Sequence, residues 1–116
     1  MKFMALNNRD ISILNHIIQH CDAIFSSVKR FGDFSALTND IDYFNSVCMS
    51  LLQIGELANH LSVEFQTTYT EVPWRNIIGL RNVVVHSYGH LDVNTVWATL
   101  QEDIPSLYRY CRSILK

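Results

Sequence analysis

The sequence predicts an all-α protein, an antiparallel four-helix bundle, and three observations carry that expectation. Apolar residues recur at alternating steps of three and four, the period of a helix face that packs in a bundle. Strand-like period-2 alternation is absent over any useful length. The chain has 116 residues, enough for one domain, here residues 1–116, with a single core that needs neither disulfides nor a structural metal.

Each helix has its own signature. Ile11, Leu14, Ile18, Cys21, Phe25 and Val28 form the first stripe; Asn7 or Asn8 can cap its start, and Gly32 can end it after Lys29 and Arg30. Phe44, Val47, Leu51, Ile54, Ala58 and Leu61 form the second, capped by Asn39 or Asp40. Gly55 sits inside that helix and costs about 1 kcal/mol against alanine, so a close backbone approach would be a reason to tolerate it. "EVPWRNIIGLRNVVVH" opens a third helix with Pro73 suited to its first turn. The fourth runs from about Asp92 to Leu115, carrying Val93, Trp97, Leu100, Ile104, Leu107 or Tyr108, and Cys111. Pro105 removes the bond to Gln101 and predicts a kink there. Residues 30–39 and 63–72 read as the longer connections.

Composition narrows the function classes. Apolar residues make up 48% and charged residues 17%, where roughly a quarter charged is usual, so some apolar surface is expected to meet another chain. The net charge of −2 argues against long stretches of phosphate backbone as a ligand and restricts any nucleic-acid contact to a local one. Cys21, Cys48 and Cys111 lie on apolar stripes without CxxC spacing, as small buried hydrophobes in a reducing cytoplasm do. The opening "MKFMALNNRD" lacks the apolar run of a signal peptide, and no stretch approaches the roughly 20 apolar residues of a membrane span. No membrane partner is expected.

The third helix is unusual. On a wheel over residues 74–88, Arg75, Gly79, Asn82 and His86 fall in a narrow polar arc. Trp74, Ile77, Ile78, Leu80, Val83, Val84 and Val85 fill most of the rest, and Arg81 falls in their midst. A helix this apolar is expected to be covered on two sides, one of them by a partner subunit. A guanidinium is not buried unpaired, because desolvating it costs several kcal/mol. Arg81 therefore either pairs with a buried carboxylate, for which Glu56 in "QIGELA" is the candidate, or lines a cleft that binds an anion. Arg81 and His86 are about 140° and 7.5 Å apart on an ideal helix, so two copies across a two-fold axis would aim them at one groove better than one copy can. His86 taken alone also suits a helix end, with Gly89 as the stop, and Tyr88 suits an interface rim.

Arg81, His86 and Tyr88 together spell R-x4-H-x-Y. With Trp74 before them, Asn82 among them and "EDIP" downstream, the pattern resembles the HepT-like branch of the HEPN domain family. "RDISILNHI", "QIGELANHLS", "VPWRNIIGLRNVVVHSYGHLD" and "VWATLQEDIPSLY" resemble its four helices in turn. The resemblance implies a metal-independent endoribonuclease without a cofactor, the toxin of a bacterial toxin–antitoxin pair. It also implies a homodimer whose cleft is lined by both motifs, and a minimal MntA-like nucleotidyltransferase as the antitoxin, adding AMP to Tyr88. Carried over, Arg81 and His86 are catalytic and Asn82 supports them, while Arg75 and Tyr88 are expected to meet the RNA substrate. Histidine moves protons at neutral pH and a guanidinium holds phosphorane charge, so 2′,3′-cyclic phosphate products are expected.

Other constellations are weaker. His16 and His20 stand at metal-compatible spacing without a local third ligand. Glu56 and His60 are one residue too far apart for a di-iron Glu-x-x-His motif, and Cys48 lacks a neighbouring base. A different class of function stays open: a non-catalytic helical module that partners a nucleotidyltransferase, with Arg81 simply paired to Glu56.

Overall fold

Asn7 accepts the Asp10 amide at 2.7 Å through its Oδ1 and starts α1 (Asn8–Phe31). Gly32, at φ 113°, ends it in a backbone region that side chains disfavour. This computed structural model describes residues 6–90 and 92–116, and of residues 87–90 only the backbone. Asp33 and Asp40 each turn a side-chain oxygen to the amides that follow, opening α2 (Phe34–Asn39) and α3 (Ile41–Asn59). The Tyr43 hydroxyl then donates to the Gly32 carbonyl at 2.8 Å and fastens α3 to the end of α1.

Ser62 caps α4 (Val63–Thr68). Pro73 leads into α5 (Trp74–Ile78), Gly79 interrupts, and α6 (Leu80–His90) follows. Asp92 caps α7 (Val93–Ala98), which continues through a π-helical segment (Thr99–Asp103) into α8 (Ile104–Leu115).

The four long rods of the expected bundle are therefore α1, α3, α5–α6 and α7–α8. α1 packs on α3 and α8, and α6 packs on α3 and α7. Leu14, Ile17 and Ile24 meet Val47, Leu51, Ile54, Val96, Ile104 and Leu107 in one core, all nearly or fully shielded. Each such side chain contributes about 1.5–3 kcal/mol on burial. The described residues include no strand, and none of their helices is long and apolar enough to cross a membrane. All three cysteines are buried and unbridged. Burial pushes the Cys48 thiol up to about 11 and the Cys111 thiol to about 12, so both are held as thiols rather than nucleophilic thiolates.

Three expectations need correction. Residues 30–39 and 63–72 are not plain connections, since each holds a six-residue helix nucleated by a side-chain cap, α2 by Asp33 and α4 by Ser62. The third helix is two pieces, because the turn at Gly79 tightens to an Asn82 N–H···O=C Gly79 bond of 2.9 Å. Gly89 does not stop α6, which runs on to His90. Pro105, by contrast, disturbs the fourth helix where it was expected to: just ahead of it the helix widens into a π turn, with the Ile104 amide reaching back to the Thr99 carbonyl. That widening surrounds Gln101, the residue whose carbonyl the proline ring would crowd.

Candidate active site

The site is built where α3 meets the α5–α6 rod. The rod is anchored at its start by Trp74, whose indole N–H donates to the Tyr69 carbonyl at 2.6 Å. The same ring lies 5.5 Å from Phe65 and 6.4 Å from Tyr110, centroid to centroid. Ile77, Leu80 and Val84 form the stripe that faces the core.

Gly55 sets the distance between the two helices. A Cβ at that position would stand 3.1 Å from the Ile78 carbonyl oxygen and 3.2 Å from the Arg81 amide nitrogen. This is the close backbone approach that a glycine in mid-helix implied. It carries Glu56, the next residue, to the side of Arg81, and Arg81 Nη1 donates to Glu56 Oε1 at 3.3 Å.

That pair is not inside the bundle. The Arg81 side chain is 64% exposed and that of Glu56 43%. The apolar arc of the wheel is wider than the buried stripe, so within one chain Arg81 lies on its uncovered flank. Val85, one turn on, is 60% exposed, and Met49, on α3 two turns before Glu56, is 56% exposed. The alternatives of a sealed ion pair and an open cleft thus meet in one arrangement: Arg81 is paired, and it is reachable.

Asn82 and His86 are both exposed on α6, one turn apart. Arg75 is exposed at the start of α5, on the far side of the Gly79 turn. Tyr88 lies on α6, and its side chain falls outside the described residues. The structure therefore brings Arg81 to Glu56, puts Asn82 and His86 at exposed positions of α6, and leaves Arg75 on a separate short helix.

Away from this seam, His16 Nδ1 is 2.8 Å from the Ser12 carbonyl oxygen on the outside of α1. Among the described residues, no group of three or more His, Cys, Asp or Glu is placed to hold a metal ion. Sequence reasoning missed Asp10. It is fully buried and accepts the Ser62 amide at 3.0 Å and the Ser62 hydroxyl at 2.7 Å. Its signal was faint: an acid in the first turn of α1, where a helix N-terminus favours negative charge.

An all-helical bundle that displays arginine, asparagine and histidine at exposed positions of one packed helix has the form of a HEPN-like domain. The chain matches the family model described as Ribonuclease HepT-like over residues 15–114. It is 31% identical over 103 residues to a protein of Caldanaerobacter subterraneus subsp. tengcongensis named as a candidate RNase, spanning 89% of this chain and 91% of that one. A Methanocaldococcus jannaschii protein, also named as a candidate RNase, is 28% identical over 93 residues, 72% of this chain and 85% of its own. A Thermococcus cleftensis protein named "Probable ribonuclease HepT" is 37% identical over 62 residues, 53% of this chain and 56% of its own. No solved structure matches the chain significantly. The chain belongs to the ribonuclease HepT-like family.

Proposed function

We propose that this protein is a metal-independent endoribonuclease that acts as a homodimer, with Arg81 and His86 as its catalytic residues. The observation that carries the reading is the exposure of Arg81 beside a glycine-set helix contact, held by Glu56 yet open to a ligand. A guanidinium has five N–H donors, enough to keep Glu56 and still hold a phosphate oxygen. His86 takes the proton of the RNA 2′-hydroxyl. The 2′-oxygen attacks the adjacent phosphorus, Arg81 stabilises the charge on the phosphoryl oxygens, and the bond to the 5′-oxygen breaks as that oxygen is protonated. The products are a 2′,3′-cyclic phosphate and a 5′-hydroxyl. Asn82 orients His86 or holds a phosphate oxygen, and Arg75 and Tyr88 meet RNA at the rim.

The exposed Met49 and Val85 flank the site on α3 and α6, and contact with a second copy would bury them and bring two motifs to one trough. In this reading the protein is a cytoplasmic toxin, and its antitoxin is a minimal nucleotidyltransferase that adds AMP to Tyr88. The bulky anion beside Arg81 then occupies the phosphate position and repels RNA.

The test is to incubate purified protein with RNA in the presence of chelator and to map product ends. Cyclic phosphate ends are expected, and a 2′-deoxy substrate should resist. Equal cleavage of the deoxy substrate would end the mechanism. The Arg81–Glu56 contact of 3.3 Å also favours a second reading, a non-catalytic module in which the pair is only structural. Growth arrest on expression without a partner, relieved by His86→Ala, separates the two. Harmless wild-type expression would favour the module.

A further inference from the structure

The last helix carries charge of one sign. Arg109, Arg112 and Lys116 are three of the nine lysines and arginines of the chain, and residues 104–116 contain no aspartate or glutamate. α8 packs on α1, and a cavity of about 510 Å³ opens on the seam between them. Asn15 and Ile18 line it from α1, and Tyr108, Arg109, Arg112 and Ser113 from α8. No aspartate or glutamate is among the described residues of this lining.

Two features give the cavity a chemistry. The Arg112 guanidinium lies 5.6 Å from the centroid of the Tyr108 ring, and Phe25 supports that ring edge-on at 5.1 Å. A braced, half-buried aromatic next to two guanidiniums suits a nucleotide, with a base or ribose against the ring and phosphate on the arginines. The helix dipole accounts for only part of this charge. Its influence fades within the last turn, and Arg109 lies six residues before the end of α8 at Leu115. The volume falls within the range of roughly 300–1,000 Å³ usual for small-molecule and nucleotide pockets.

We infer that the α1–α8 cavity is a second, non-catalytic site for the phosphate backbone of single-stranded RNA, on a different seam of the bundle from Arg81. It adds a second local contact to the one at Arg81, in a chain whose net charge of −2 offers a polyanion little general attraction. The choice of RNA over other polyanions rests on the nuclease reading above.

The experiment measures binding of a fluorescent 2′-O-methyl oligouridylate, which has no free 2′-hydroxyl and is not cut, to the full chain across a salt series. The double variant Arg109→Gln with Arg112→Gln should weaken binding about tenfold or more. The slope of log affinity against log salt should fall by about 0.7 for each single-strand phosphate that is no longer neutralised. Ser113→Glu, which removes no cation but places a carboxylate in the cavity, should act in the same direction. Lys29→Gln with Arg30→Gln makes the same charge change at the far end of α1 and should alter binding far less.

Unchanged affinity and slope in the first double variant would overturn the site. So would an equal loss in the Lys29 and Arg30 control, which would mean general electrostatics. Intact RNA binding together with loss of a protein partner would assign the cavity to that partner and overturn it as well. A chain that binds the oligonucleotide through Arg109 and Arg112 but cuts no RNA would keep this site and sink the nuclease reading. A chain that cuts RNA while the double variant binds normally would sink this site alone.

Discussion

Two carboxylates in this bundle hold partners across helices, and they differ in every physical respect. Asp10 is fully buried and takes two hydrogen bonds from Ser62. Those bonds join the first turn of α1 to the cap of α4, so one carboxylate serves two helix starts at once. Glu56 takes a single bond from Arg81 at 3.3 Å, with the Arg81 side chain largely and that of Glu56 partly in water. The first contact is short and doubled, with its acceptor screened from solvent, and breaking it strands a buried carboxylate. The second has water available to either partner at once, so it contributes little to stability and remains available to ligands. Exposure, more than the presence of a pair, separates a polar contact that stabilises a fold from one that can act.

The comparison can be broken at several points. Its largest expected effect is catalytic. His86→Ala should lower the RNA cleavage rate by about 10²–10⁴-fold and Arg81→Ala by about 10²–10³-fold. Both variants should keep stability to within about 1 kcal/mol in urea titration, as exposed substitutions do. An Arg81→Ala chain that failed to fold would mean the exposed pair is structural after all.

Next comes Asp10→Ala. It removes a charged acceptor and leaves the Ser62 amide without its bond, and it should cost about 2–4 kcal/mol in the same titration. A loss under about 1 kcal/mol would erase the distinction drawn between the two carboxylates. Gly55→Ala gains about 1 kcal/mol of helix propensity but presses a methyl onto the α5–α6 backbone, which costs about 1–3 kcal/mol. A net loss of up to about 2 kcal/mol is expected, with cleavage falling further than stability because Glu56 and Arg81 are pushed apart.

Glu56→Gln should change stability by less than about 1 kcal/mol, measured in parallel with Asp10→Ala. The smallest effect concerns pH. Burial, assisted by His16, lowers the His20 pKa below its ordinary 6.5. The folded chain therefore binds fewer protons than the unfolded chain in the window just below 6.5. The stability from neutral His20 is complete above that pH and is lost as pH falls through 6.5 toward the folded value. His20→Gln should flatten that part of a stability–pH curve.

The helical stripes were legible because each long rod repeats its apolar step over several turns. Asp40, Asn7, Gly32 and Asp92 punctuate them by local chemistry alone. α2 and α4 were not legible, since six residues are too few to show a period and their caps resemble ordinary loop residues. The chemistry of the candidate site could be read from residue order within one helix, but its exposure could not. A wheel locates Arg81 among valines without saying which flank α3 covers, and the Gly79 turn separates Arg75 from the residues that share its polar arc. The Asp10–Ser62 contact spans 52 positions, and nothing local in either segment announces the other. The cavity on α8 gave no signal of its own, because cations near a helix end already have an ordinary explanation.

That long-range contact has a further use. The Ser62 amide proton is held by an acceptor that solvent does not reach. For it to exchange with deuterium, the start of α1 must leave α4, and residues 10 and 62 must part. Its resonance in a heteronuclear spectrum of isotope-enriched protein can thus serve as a built-in clock for opening of the bundle, read without an attached probe or cofactor while the Arg81 surface is occupied or empty.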